Sequence, residues 1–387
     1  MSDQPIHILF SGGVTGGHLF PGLAVAEQIK AQYPSARITF AGAGRPLDRQ
    51  QVFQAGYDYL GVPCHATPRR LRDIGRFLSD NHKGIQKAIG FIKESHVSAV
   101  IGLGGYASAP TARAAARCDI PLVLLEQNFY PGRANRWLSR SADMILTAFS
   151  ETRRNLRARC PIHPVGNPVR GHFLQRIASK SEASSKKRLL ILGGSNGAGE
   201  LNLQVPKALY RCRAELADWE VTHQSGTNHQ DETQQLYEKL DLPVQVIPFL
   251  EDMASVLTRC DLAISRAGGT TLSELAVSRV PVILCPLPGA TDDHQTHNAN
   301  HFAARGAAIV AKTSGSQDRL DNTVADCLQP LLTDEARRQS LSTAIGTLAR
   351  PDAATRAATL ILNMLRPTAV IPPPMGLSTH RATESRT

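Results

Sequence analysis

The chain has 387 residues, 42% of them hydrophobic, enough to bury two ordinary domain cores. No apolar run approaches the ~18–20 residues that a membrane-spanning helix needs, so a soluble or peripheral protein is expected. The net charge of +10 is uneven: residues 1–168 carry 20 Lys and Arg against 11 Asp and Glu, while residues 169–387 carry 23 against 22, so the first half is the one suited to an anionic surface.

The first predicted strand is IHILF (6–10), followed by the glycine turn SGGVTGGHLFPG (11–22) and a helix over PGLAVAEQIKAQY (21–33). RITFAGA, SAVIGLGG and PLVLLEQN read as later strands, with helical patterns in GIQKAIGFIKES and APTARAAAR between them. Alternating strands and helices of this kind predict a parallel, doubly wound sheet. The pattern restarts at KRLLILGGSNGAGELNLQVPKAL (187–209), again a strand, a double glycine and a helix. WEVTHQSG, VQVIPFL, LAISRAGG and VPVILCPLP follow as strands. Two similar α/β domains, 1–165 and 166–350, joined near HPVGNPVR, are the simplest account. A helix over 352–366 comes after the second sheet, and the Pro- and Ser/Thr-rich tail 367–387 is expected to be disordered.

A strand that ends in glycines and feeds a helix aims free backbone N–H groups at one point, where the helix dipole adds positive charge. Both domains therefore carry an anion-binding turn. Neither GGVTGG nor GGSNGAG fits G-x-G-x-x-G; IGLGGYA (101–107) fits the looser G-x-G-x-x-A but lies on a later strand, and no P-loop occurs. In SRAGGTTLSELAV (265–277), Gly269 permits close backbone approach, and Thr270, Thr271 and Ser273 offer hydroxyls. Glu274 in the first turn of the following helix either complements the dipole or accepts from a ribose diol.

His294, His297 and His301 share a helix face near Asp292 and Asp293, but no carboxylate or cysteine is spaced to complete a zinc shell. Asp292 and Gln295 read instead as a capping-box pair, with Asp292 at the N-cap. The seven cysteines (Cys64, Cys118, Cys160, Cys212, Cys260, Cys285 and Cys327) form no CxxC, which excludes a Cys-pair zinc site and implies reduced thiols in a cytosolic setting. The N-terminal MSDQP shows no secretory signal pattern. No metal and no other cofactor is expected.

SGGVTGGHLFPGLAVA, GLGGYASAP, LEQN, VGNPVR, GGSNGA, HQSG, FLEDM, SRAGGTTLSELA and DDHQTHNA occur in that order between about residues 6 and 362. Together they resemble the MurG family of UDP-N-acetylglucosamine transferases, which complete lipid II in peptidoglycan synthesis. Leu125 stands where the family often has histidine before EQN. The resemblance implies the two-domain GT-B glycosyltransferase fold, with two Rossmann-like domains facing a deep cleft and the helix 352–366 packing back on the first domain. It implies UDP-GlcNAc as donor and the undecaprenyl-linked lipid I as acceptor, at the cytoplasmic face of the bacterial inner membrane, with other cell-wall synthesis proteins as possible partners. It implies that Ser195 and Arg170 contact the nucleotide, that Leu250 meets the uracil through its backbone, and that Glu274 binds the ribose and Gln295 the sugar. Gly269, Thr270, Thr271, Leu272 and Ser273 form the same donor segment, and Thr15, Gly16, Gly17 and Asn128 complete the site from the first domain.

A neutral imidazole at His18 is suited to take the proton of the acceptor's 4-hydroxyl as it attacks C1, inverting the anomer. Alone, the same ring would be read as capping or packing, and Glu126 and Tyr106 stand as rivals or helpers for the base. A diacylglycerol glycosyltransferase or a UDP-GlcNAc 2-epimerase would share the nucleotide half. A basic nucleotide- or nucleic-acid-binding module is the non-enzymatic alternative, and 5% aromatic residues argue against stacking on single strands. Nucleic acid is not the expected partner. Residues 69–93 carry seven Lys and Arg against two Asp, with Leu71, Ile74, Phe77 and Leu78 on one face, which is the pattern of an interfacial helix on an anionic membrane.

Overall fold

The computed structural model describes residues 6–13, 16–68, 70–178, 186–193, 198–287, 291–312 and 319–365. The first sheet holds β1 (His7–Gly12), β2 (Arg37–Gly42), β3 (Asp58–Gly61), β4 (Ala99–Gly104), β5 (Leu122–Glu126), β6 (Met144–Thr147) and β7 (Ile162–Pro164). All pairs are parallel, in the order β3-β2-β1-β4-β5-β6-β7. The second sheet holds β8 (Lys187–Leu192), β9 (Trp219–Gln224), β10 (Val244–Ile247), β11 (Leu262–Ser265), β12 (Val282–Leu284) and β13 (Ile309–Val310). It is parallel too, in the order β10-β9-β8-β11-β12-β13. The doubly wound, two-sheet architecture read from the sequence is borne out.

Helices cover both faces of each sheet, and each sheet separates two apolar clusters. That is why β1, β4 and β5 are buried at every position and read as unbroken apolar runs. In both sheets the winding reverses beside the first strand, at β1/β4 and at β8/β11. Ligands of such sheets bind outside the carboxyl ends of the strands at that reversal. The glycine turns after β1, β4 and β11 therefore all fall at a binding crevice.

The first helix spans Gly16–Gln32, with Pro21 inside it, not at its start as the sequence pattern suggested. Proline at the sixth position removes the N–H that would bond the Gly17 carbonyl one turn back. That carbonyl instead accepts the Thr270 hydroxyl of the second domain at 2.7 Å. The helix survives because the lost bond is replaced from across the interface.

The last helix, Ala353–Leu365, leaves the second sheet and joins the core of the first, where Ala357, Ala358, Ile361 and Leu362 are buried. Thr355 and Thr359 donate to the Gln28 and Gln32 side chains of the first helix, both at 3.0 Å. The predicted residues 367–387 lie outside the described residues.

Candidate active site

A cavity of about 760 Å³ opens between the two sheets. Of the residues expected from the sequence, Gly16, Gly17, Arg170, Leu250, Gly269, Thr270, Thr271 and Glu274 line it. Two helices point their first residues into it from opposite domains: Gly16–Gln32 and Gly269–Ser278. Their unpaired N–H groups and dipoles converge on one volume, an arrangement suited to an anionic diphosphate.

Arg170, on the connector between the domains, lies over the Phe20 ring at 4.3 Å from its centroid. Its charge faces Glu274, which is 8% exposed. Burial pushes the Glu274 carboxyl up to about 7, against the opposing pull of Arg170. A carboxylate so poorly hydrated gains from any donor pair a ligand brings, such as two vicinal hydroxyls.

His18, the third residue of its helix, packs against the end of β4, where a Cβ added at Gly104 would lie 3.0 Å from its ring. Burial pushes its pKa down to about 4, and His294 acts in the same direction. The imidazole is therefore neutral at pH 7, the state a proton acceptor needs.

Glu126 closes β5, 3% exposed, with both carboxylate oxygens engaged. Oε1 accepts the Asn128 backbone N–H (3.0 Å) and side-chain amide (3.2 Å), and Oε2 accepts Gly132 N–H (3.0 Å) and Asn135 Nδ2 (2.9 Å). Burial raises its pKa while these donors lower it. Four internal donors make it an organiser of the 127–135 loop. Tyr106 follows β4 on a half-buried turn, its phenol pushed upward by burial.

Several expected residues stand apart from the large cavity. Leu272 is fully buried in the second domain's core. Ser273 donates to the Gly269 carbonyl and lines a separate cavity of about 280 Å³ with Asn167, His301 and Arg350. Thr15 and Ser195 lie outside the described residues. The capping-box reading of 292–295 is corrected: Asp293 holds the N-cap, and both it and Asp292 have left-handed backbones. Asp292 accepts instead from Arg136 (2.5 Å) and Arg133 (3.3 Å) of the first domain, and Gln295 accepts Leu287 N–H at 3.0 Å. His297 stacks on Tyr130 and His301 packs edge-on to Phe149. Among the described residues no group of three or more His, Cys, Asp or Glu is placed to hold a metal ion.

Sequence reading missed three buried polar residues. Asn135 holds Glu126, Arg266 ties the Cys285 and Pro286 carbonyls to Glu200, and Asn298 bridges the domains. Arg266 stood within the SRAGG motif, and its neighbours were the only signal available.

Residues 8–147 match the Glycosyltransferase family 28 N-terminal domain, and residues 188–355 match the Glycosyltransferase family 28 C-terminal domain. The UDP-N-acetylglucosamine--N-acetylmuramyl-(pentapeptide) pyrophosphoryl-undecaprenol N-acetylglucosamine transferase of Carboxydothermus hydrogenoformans is 33% identical, over 93% of this chain and 98% of its own. The chain belongs to the MurG family. The Pseudomonas entomophila member is 36% identical, over 91% of this chain and 96% of its own. The crystal structure of Acinetobacter baumannii MurG superposes with a TM-score of 0.72 at 29% identity, covering 93% of this chain and all of that one. The family resemblance read from the nine motifs is thus borne out, and with it the GT-B fold.

Proposed function

We propose that this enzyme is an inverting glycosyltransferase that moves N-acetylglucosamine from UDP-GlcNAc to the 4-hydroxyl of the muramyl sugar of lipid I, giving lipid II. Family membership supports the reaction. The convergence of two helix N-termini, Arg170 and Glu274 on one cleft is the observation that carries the donor's place in it.

In this reading Glu274 accepts from the ribose diol and the Leu250 backbone meets the uracil. Gly16, Gly17, Gly269 and Thr271 offer N–H and hydroxyl donors to the diphosphate, and Gln295 reads the sugar. The acceptor oxygen forms its bond to C1 as the C1–O bond to the diphosphate breaks with inversion. The proton of that hydroxyl passes to His18, whose low pKa rises as the dianionic leaving group draws near. Asn128 completes the donor site from the first domain, and Glu126 and Tyr106 shape the acceptor side.

The acceptor carries a polyprenyl chain, so the enzyme must reach a bilayer. Among the described residues no helix is long and apolar enough to cross one. Leu71, Ile74 and Leu78 are exposed at 87%, 39% and 59% beside exposed Arg70, Arg72 and Arg76, which supports peripheral docking on the anionic cytoplasmic face. Purified protein incubated with UDP-GlcNAc and lipid I should form lipid II and UDP. Release of UDP without lipid II, or no turnover at all, would remove the assignment.

A further inference from the structure

Asn298 has no exposed surface and lies one turn beyond Gln295 on the helix His294–Ala303. Its side chain joins three segments. Oδ1 accepts the Phe129 backbone N–H of the first domain at 2.8 Å. Nδ2 donates to Asn128 Oδ1 at 3.1 Å and to the Ala267 carbonyl, just before the donor-side glycines, at 2.9 Å. Asn128 in turn donates its own Nδ2 to Glu126 Oε1 at 3.2 Å. The two amides are thus oriented in series, each accepting on one side and donating on the other, and reversing either would set oxygen against oxygen.

We propose that Asn298 is a positioning residue that couples domain closure to the Asn128–Glu126 network, so that Asn128 and Glu126 adopt their working geometry only when the second domain is seated. The proposal rests on the functional reading above. Gly269 supports it independently, because a Cβ there would sit 2.3 Å from the Gln127 carbonyl, so the backbones on either side of this junction touch. The same helix carries Gln295, so a ligand that orders its first turn from the second domain also seats Asn298 against the first. A buried amide with its Oδ1 and one N–H committed across the interface and its other N–H to its own domain has one arrangement that satisfies it, and opening of the cleft leaves Asn128 Oδ1 without this donor and the Phe129 N–H without its acceptor.

The test uses Asn298→Asp, which keeps the shape but presents a carboxylate oxygen to Asn128 Oδ1 and the Ala267 carbonyl, and Asn298→Ser, which cannot span both. Both should lower kcat by roughly 10- to 100-fold, the effect of losing one or two buried hydrogen bonds. Binary UDP affinity should stay near the wild-type value, since the nucleotide contacts remain. Asn128→Ala combined with Asn298→Ser should be no worse than the worse single change; losses that multiply would overturn the relay. Small-angle scattering gives a readout free of turnover: UDP should compact the wild type and fail to compact the variants. Equal compaction in all three would also overturn the inference. Wild-type protein that compacts with UDP but forms no lipid II would remove the assigned reaction and leave the coupling standing.

Discussion

At the residue scale two titratable groups expected at the site, His18 and Glu274, are displaced in opposite directions by the same cause. Burial disfavours charge, so the His18 imidazole falls to about 4 and the Glu274 carboxyl rises to about 7. A base with so low a pKa loses its proton early, so in Glu274→Gln, which removes the carboxyl that titrates at about 7, kcat/KM should show no acidic limb at the ordinary histidine value near 6.5 and should fall only towards pH 4. A limb near 6.5 would place His18 in water. Replacing the ring by His18→Ala should lower turnover by about 10²–10⁴-fold with UDP affinity nearly unchanged. For Glu274 the ionised form is the better acceptor of a diol, so UDP should bind more tightly as pH rises through about 7. Calorimetric titration of Glu274→Gln should lose that slope, and Glu274→Ala should weaken binding by roughly 5- to 150-fold, the cost of about 1–3 kcal/mol for unpaired partners. Gly16, Gly17 and Glu274, which line the cavity, were legible because each lies in a short contiguous motif at a strand-to-helix turn. Asn135 and Asn298 were not, because an asparagine's role here depends on burial and on partners far away in sequence.

At the element scale, most of the legible strands are covered on both faces, the edge strand β10 and its neighbour β9 being exceptions. β1, β4, β5, β8 and β11 are continuous apolar runs that can only be interior. β3 (DYLG), β7 (IHP) and β13 (IV) lie at or near sheet edges, half-buried and too short for any period to show. The start of the first helix was misplaced for a different reason: proline marks a first turn in isolation, and only the second domain's Thr270 supplies the missing partner of Gly17. The second glycine motif likewise has a use the sequence did not show. Gly269 lets its helix abut the Gln127 backbone, and an added Cβ would lie 2.3 Å from that carbonyl. Gly269→Ala should therefore force the domains apart at a cost of about 1–3 kcal/mol, lowering kcat/KM by roughly 5- to 150-fold. Thermal unfolding of the separate domain cores should change little, because the clash lies between them. A wild-type rate would mean that the two backbones do not meet in the working enzyme.

Across the whole molecule, the last helix makes the first domain depend on the end of the chain. Ile361 is fully buried among Ile29, Val25 and Ala26, so Ile361→Ala should lower stability by about 2–5 kcal/mol, read by denaturant unfolding. The same domain carries almost all of the excess charge, +9 of the +10, at the opposite end of the chain from that helix. Charge this uneven does not stabilise a fold, but it orients a molecule at an anionic surface. Leu71, Ile74 and Leu78 lie exposed at the start of the helix Ile74–Glu94, and the Arg72 and Arg76 side chains beside them are 73% and 76% exposed. Their pairing with Asp73 and Asp80, at 3.9 and 3.4 Å, is surface pairing that salt and competing phosphates readily displace. Each arginine near an anionic bilayer contributes about 1 kcal/mol, so reversing Arg70, Arg72 and Arg76 to glutamate removes at least about 3 kcal/mol, or more than a hundredfold in affinity. Wild-type protein should sediment with vesicles rich in anionic lipid and be released by salt, while the triple variant stays in solution. Turnover of a short-chain, water-soluble acceptor should persist in that variant, since none of the three arginines lines the cleft. Vesicle binding that survives the reversal would place the docking face on another part of the first domain.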